Sequence, residues 1–179
     1  MEIFHQSAPP PPVLVLGLGN MLLGDDGVGP VLLERVSNRY ARVREVECVD
    51  GGTQGLALLG YLAERTTLVL LDAYATGKAP GEVTVLNKSE LLAASARRAS
   101  TAHEGNVGEL LAVAELVGEL PEQIFLVGVQ PGRLRTELGL SGDVEAALPA
   151  AYACACKIIE QAMSELAGYS SSQFVPLAI

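Results

Sequence analysis

Val13-Leu-Val-Leu-Gly-Leu18 runs directly into Gly19-Asn-Met-Leu-Leu-Gly-Asp-Asp-Gly-Val-Gly29, and Pro30 follows. Six apolar residues without alternation predict a strand buried on both faces, as in a parallel sheet covered by helices. The glycine-rich stretch carrying Asp25 and Asp26 is then a loop. Residues 30–40 read as a helix with Pro30 in the first turn, where a missing N–H costs little.

The same alternation continues along the chain. Residues 43–49 suggest a second strand, and Asp50-Gly-Gly-Thr53 turns into a helix over about 55–63. Thr67-Leu-Val-Leu-Leu-Asp72 is a third buried strand. Ala79-Pro-Gly81 marks a turn, and residues 82–86 form an expected edge strand, a candidate for antiparallel pairing. Residues 106–117 have helical spacing and close on Gly118 and Pro121; residues 124–129 form another buried strand. Residues 143–167 are helical, with Pro149 expected to kink or break the helix. The predicted fold is α/β: a three-layer sandwich with a twisted, mostly parallel central sheet of about five strands and helices on both faces. It comprises a single domain, 13–168, between a disordered Pro-rich lead-in, 1–12, and a C-terminal tail, 169–179.

Of 179 residues, 49% are hydrophobic and 18% charged, enough apolar mass for one packed core. The formal net charge is −9, so phosphate-rich nucleic acid and anionic membranes are poor partners. No apolar run reaches the roughly 20 residues needed to span a bilayer, and residues 1–12 lack the basic and apolar regions of a secretory signal. A cytoplasmic, monomeric protein is expected. The three cysteines, Cys48, Cys154 and Cys156, have no framework spacing. Cys154 and Cys156, two apart in a helix, do not share a face and read as buried apolar positions rather than ligands.

Ligands of open α/β sheets bind beyond the carboxyl ends of the strands. Three chemistry-bearing groups follow such ends or the loops beside them: the acids Asp25 and Asp26, Asp72 closing the third strand, and His103 ahead of a helix. Two carboxylates and an imidazole suit nickel, zinc or iron, and three protein ligands leave positions open for substrate or water. Each has a plainer alternative: Asp26 as a helix cap, Asp72 as a loop cap, His103 as an exposed histidine. Gly51 and Gly52 are candidate substrate contacts, or simply a tight turn. A dinucleotide fingerprint is excluded because Leu22 stands where its third glycine belongs. A phosphate-receiver site is excluded because Asp25 and Asp26 lie several residues past the strand end.

Four blocks, in order and spacing, resemble the [NiFe]-hydrogenase maturation endopeptidases: Gly17 to Gly29 as quoted; Asp50-Gly-Gly-Thr-Gln-Gly-Leu56; Leu70-Leu-Asp-Ala73 with Pro80-Gly81; and Ser100-Thr-Ala-His103 with Leu126-Val-Gly-Val-Gln-Pro131 downstream. The resemblance implies a nickel-dependent protease that removes the C-terminal extension of a hydrogenase large-subunit precursor after nickel insertion. It implies metal ligation by Asp26, Asp72 and His103, with Asp25 as the alternative in the first block. Relatives often carry Glu where Asp26 stands. Nickel would arrive with the precursor; zinc or cadmium could occupy the same donors. No Ser-His-Asp or Cys-His arrangement is present, so the catalytic group is unassigned, with Asp26 and Asp72 as candidates. A non-catalytic nickel chaperone and a related α/β peptidase with another protein substrate are the alternative readings.

Overall fold

The computed structural model describes residues 9–98 and 105–172. Five strands form one sheet: β1 (Val13–Leu18), β2 (Val46–Gly52), β3 (Thr67–Ala73), β4 (Val83–Asn87) and β5 (Gln123–Val129), in the order β2-β1-β3-β5-β4. All pairings are parallel except β4 with β5. The expected mostly parallel sheet of five strands, with an antiparallel edge, is what forms. All six residues of β1 are buried, as the unbroken apolar run requires.

Helices α1 (Val28–Tyr40) and α5 (Gly142–Ser172) cover one face, where Val13, Val15, Val69, Leu71 and Val127 meet Leu32, Val36, Leu148 and Ile159. A 3-10 turn (Gly55–Leu58) running into α2 (Leu59–Leu62), with α3 (Lys88–Arg98) and α4 (Gly105–Val117), covers the other, where Leu14, Leu16, Leu68 and Leu70 meet Leu58, Leu62, Leu91 and Leu111. Alternate residues of each strand thus feed two cores, which makes three layers.

Several elements differ from their sequence-based bounds. Helix α5 continues through Pro149 rather than breaking there. Pro149 is exposed, while Val144, Leu148, Ala151 and Ala155 on either side are buried, so packing holds the helix across the lost hydrogen bond. Strand β2 begins three residues late, because the Val43 N–H closes a turn on the Tyr40 carbonyl. It also runs through Gly52, past an irregularity in register opposite Gly17 and Leu18. Helix α3 was not foreseen. Its start carries a reciprocal cap: the Glu90 N–H donates to Asn87 Oδ1, and the Asn87 N–H donates to Glu90 Oε2. The lead-in is tied down at its end, since the Pro12 carbonyl accepts the N–H groups of Thr66 and Thr67 and the Pro11 carbonyl accepts from Arg65. No helix among the described residues is long and apolar enough to cross a membrane.

Candidate functional site

Beyond Leu18 the chain folds back over the carboxyl edge of the sheet. Gly19 has a φ of 120°, and a Cβ there would fall 1.9 Å from the Asp26 carbonyl oxygen, so this reversal requires glycine. The Asn20 N–H donates to Asp26 Oδ2 at 2.7 Å, while Asn20 Oδ1 accepts the Leu22 N–H at 2.9 Å. Asp26 is thereby fixed, half-buried, in a short 3-10 turn (Gly24–Gly27) ahead of α1.

Gly29 brings that turn onto the strand ends. A Cβ at Gly29 would lie 2.1 Å from the Leu18 carbonyl oxygen and 2.4 Å from that of Leu71, so the first turn of α1 rests on the backbones of β1 and β3. The register pairs Gly17 with Leu71, which puts Asp72 beside the end of β1. Asp72 is half-buried. Asp72 lies at the end of β3 and Asp26 in the turn that follows the adjacent strand β1, so both stand at the carboxyl edge, where open α/β sheets bind their ligands. The third expected ligand, His103, lies outside the described residues. Among the described residues alone, no three His, Cys, Asp or Glu side chains gather as a metal site.

Asp25 and Asp26 are neighbours with different surroundings. Asp25 is wholly buried. Its Oδ2 accepts the Gly132 N–H at 2.8 Å, the Arg133 N–H at 2.7 Å and the Ser141 hydroxyl at 2.8 Å. Its Oδ1 accepts the Ser141 N–H at 2.6 Å. Burial alone would push the Asp25 carboxyl up; the four donors outweigh it and hold the group below the usual carboxylate range. Asp25 is committed to the loop after β5, which leaves Asp26 as the acid of this block with surface to offer.

That loop was not foreseen as part of the site. Gln130, also buried, accepts the N–H groups of Thr76 and Gly77 and the Thr76 hydroxyl on Oε1, and donates from Nε2 to the Pro131 carbonyl. It thus organises the segment that follows Asp72. Its sequence signals are its place immediately after a buried strand and its presence in the Leu126 to Pro131 block, neither of which gave it a role. Gly51 is buried, and a Cβ there would press on Leu18 and Leu58; close packing accounts for this glycine. Gly52 is half-buried with a φ of 47° and donates its N–H to Asp50 Oδ1.

The cysteines lie away from this edge. Burial, and secondarily the charge of Glu47, pushes the Cys48 thiol up to about 11, so it stays protonated near neutrality and is a poor nucleophile. Cys156 is buried on α5 and Cys154 packs against the same core. Replacing all three by Ala is expected to lower the melting temperature by a few degrees and leave turnover within about two-fold, since only packing is lost. Abolished turnover in a folded triple variant would reveal a thiol in the chemistry.

A family model described as hydrogenase maturation protease matches residues 30–158, well over half of the chain, starting just after the first glycine-rich block. The chain is 38% identical over 135 residues to the hydrogenase 2 maturation protease of Escherichia coli (strain K12), covering 75% of this chain and 82% of that protein. It is 34% identical over 162 residues to the hydrogenase expression/formation protein HupD of Rhizobium leguminosarum bv. viciae, covering 89% and 80%. The structure of the hydrogenase maturating endopeptidase HybD from E. coli superposes with a TM-score of 0.77 at 34% identity, over 84% of this chain and 93% of that one. The hydrogenase 2 maturation peptidase from Thaumarchaeota archaeon SCGC_AB-539-E09 superposes with a TM-score of 0.63 at 31% identity, over 83% and 97%.

Proposed function

We propose that this chain, which belongs to the hydrogenase maturation protease family and is an endopeptidase that processes a hydrogenase large-subunit precursor, reads a nickel ion carried by that precursor. Asp26, Asp72 and His103 are the residues that would touch the ion, and removal of the precursor's C-terminal extension is the cleavage that follows. The observation that supports this reading is that the Asp26 turn and the Asp72 end of β3 lie at the same carboxyl edge, with Asp25 spent elsewhere.

The donor set fits the group. Carboxylates and a neutral imidazole bind a borderline divalent ion moderately, and no thiolate strengthens the site. The cysteine thiolates of a [NiFe] centre would hold nickel more firmly, so the ion stays with the precursor. When bound, the metal would act as a template fixing the scissile bond and would polarise its carbonyl or a water. The chain's own contribution is positional. Asn20 orients Asp26, the α1 turn sets it above β3, and Gln130 shapes the segment beyond Asp72.

The test is cleavage of nickel-free and nickel-loaded precursor, followed by loss of mass. Loaded precursor is expected to be cut at least about 100-fold faster, because three ligands are otherwise unused. Cleavage is expected to fall as pH drops below about 6, where an ordinary histidine takes up a proton and can no longer ligate. Equal processing of the two precursors would refute the metal-reading mechanism.

A further inference from the structure

We propose that the ridge made by loops 20–26 and 132–141 is a docking surface for an apolar patch on the folded body of the large-subunit precursor. This rests on the reading of the Asp26 edge given above and adds to it a second, metal-independent source of substrate affinity.

The two loops are zipped together by backbone hydrogen bonds. The Gly24 N–H donates to the Glu137 carbonyl at 2.8 Å, the Glu137 N–H to the Leu22 carbonyl at 3.1 Å, and the Asp25 N–H to the Arg133 carbonyl at 3.0 Å. Leu23 and Glu137 form a parallel bridge. From beneath, Asp25 clamps the second loop through Gly132, Arg133 and Ser141. The ridge is therefore built and anchored, yet it holds four large apolar side chains in water. Met21 is 56% exposed, Leu22 60%, Leu134 60% and Leu138 78%.

Apolar side chains held in water by a fixed backbone mark a surface that is covered in use. The occupant follows from continuity with the site. Asp26 lies in the same loop, six residues from Asn20 and bonded to it, so a substrate reaching Asp26 must pass over or beside the ridge. The substrate is a protein, and a protein surface brings enough apolar area to cover four such side chains. The charges between the leucines agree. Arg133 and Arg135 both pair with Glu137, leaving this part of a chain of net charge −9 without an unpaired acid among them. Methionine and arginine, both present on the ridge, are residue types enriched at protein interfaces.

The double variant Leu134→Ser, Leu138→Ser tests this, with Leu22→Ser on the other loop as a second variant and Leu116→Ser as the control. Leu116 is 85% exposed near the end of α4, which leads into the amino end of β5 and so lies at the opposite edge. Melting temperatures should stay near that of the parent, since exposed side chains are removed. KM for nickel-loaded precursor should rise at least about 10-fold in the double variant and several-fold in Leu22→Ser, with kcat within about two-fold. The control should change neither. An unchanged KM in both folded ridge variants overturns the proposal. So does a parent protein that sediments as a dimer while the double variant is monomeric with parental KM, which would make the ridge a contact between copies. A raised KM together with equal cleavage of nickel-free and loaded precursor supports docking while overturning the metal-reading mechanism, so the two failures are separable.

Discussion

Asp26→Asn is expected to reduce cleavage of nickel-loaded precursor at least about 100-fold while moving the melting temperature by no more than about 2 °C. The two effects separate because Asp26 has two tasks. Its structural task is to accept the Asn20 N–H on Oδ2, which the amide oxygen of Asn can also do. Its proposed chemical task is to present a negative oxygen to a metal ion, which the amide cannot match. Outer-sphere partners of metal ligands alone typically cost about 10–100-fold when lost, so removing a direct ligand charge should cost at least as much. Asp72→Asn should behave alike, because Asp72 sits at the end of the adjacent strand and is half-buried. Asp26→Glu should retain activity within about 10-fold, since the carboxylate is kept and the extra methylene can be taken up by rotation. kcat/KM from mass loss, read beside thermal melts, decides the matter. Full activity of folded Asp26→Asn would remove this residue from the site.

The family and the sheet were legible in the sequence for a physical reason. Strands β1, β3 and β5 are buried on both faces, so their apolar runs are unbroken and bounded by polar or glycine residues. Edge strands carry weaker signals. The start of β2 falls three residues later than expected because residues 43–49 read as one alternating run, although the turn hydrogen bond between Val43 and Tyr40 removes the first part of that run from the sheet. Helix α3 was missed because it is short and polar on average, with Lys88, Ser89, Glu90, Ser95, Arg97 and Arg98 around few apolar residues; the Asn87 to Glu90 spacing was its one readable mark. At the site, the motif indicated where the acids are but not how they divide the work. Ser141 lies 116 residues from Asp25, and no local pattern announces a contact at that separation.

That contact predicts the largest loss of stability. Asp25→Asn is expected to cost about 4 kcal/mol, or roughly 10 °C in melting temperature for a chain of this size, by the usual worth of charge-assisted hydrogen bonds and the penalty for unpaired buried donors. Four donors converge on the two carboxylate oxygens, and an amide supplies one oxygen and turns an NH2 against the remaining donors. Ser141→Ala removes only the hydroxyl bond and should cost about 1 kcal/mol. The pH dependence has a definite sign. The Asp25 carboxyl is held below its ordinary value in the folded state, so its contribution is fully present above about pH 4, the ordinary value in an unfolded chain, and is lost as pH falls through the folded-state value. The gap in melting temperature between parent and Asp25→Asn should therefore be constant from neutrality to about pH 5 and narrow in stronger acid. A gap that widened there would mean that Asp25 is not the ionised centre of this loop. Because the Asp25 and Asp26 turn is one piece of backbone, Asp25→Asn should also lose cleavage, but in proportion to the unfolded or displaced fraction. It should recover activity at low temperature, which Asp26→Asn should not.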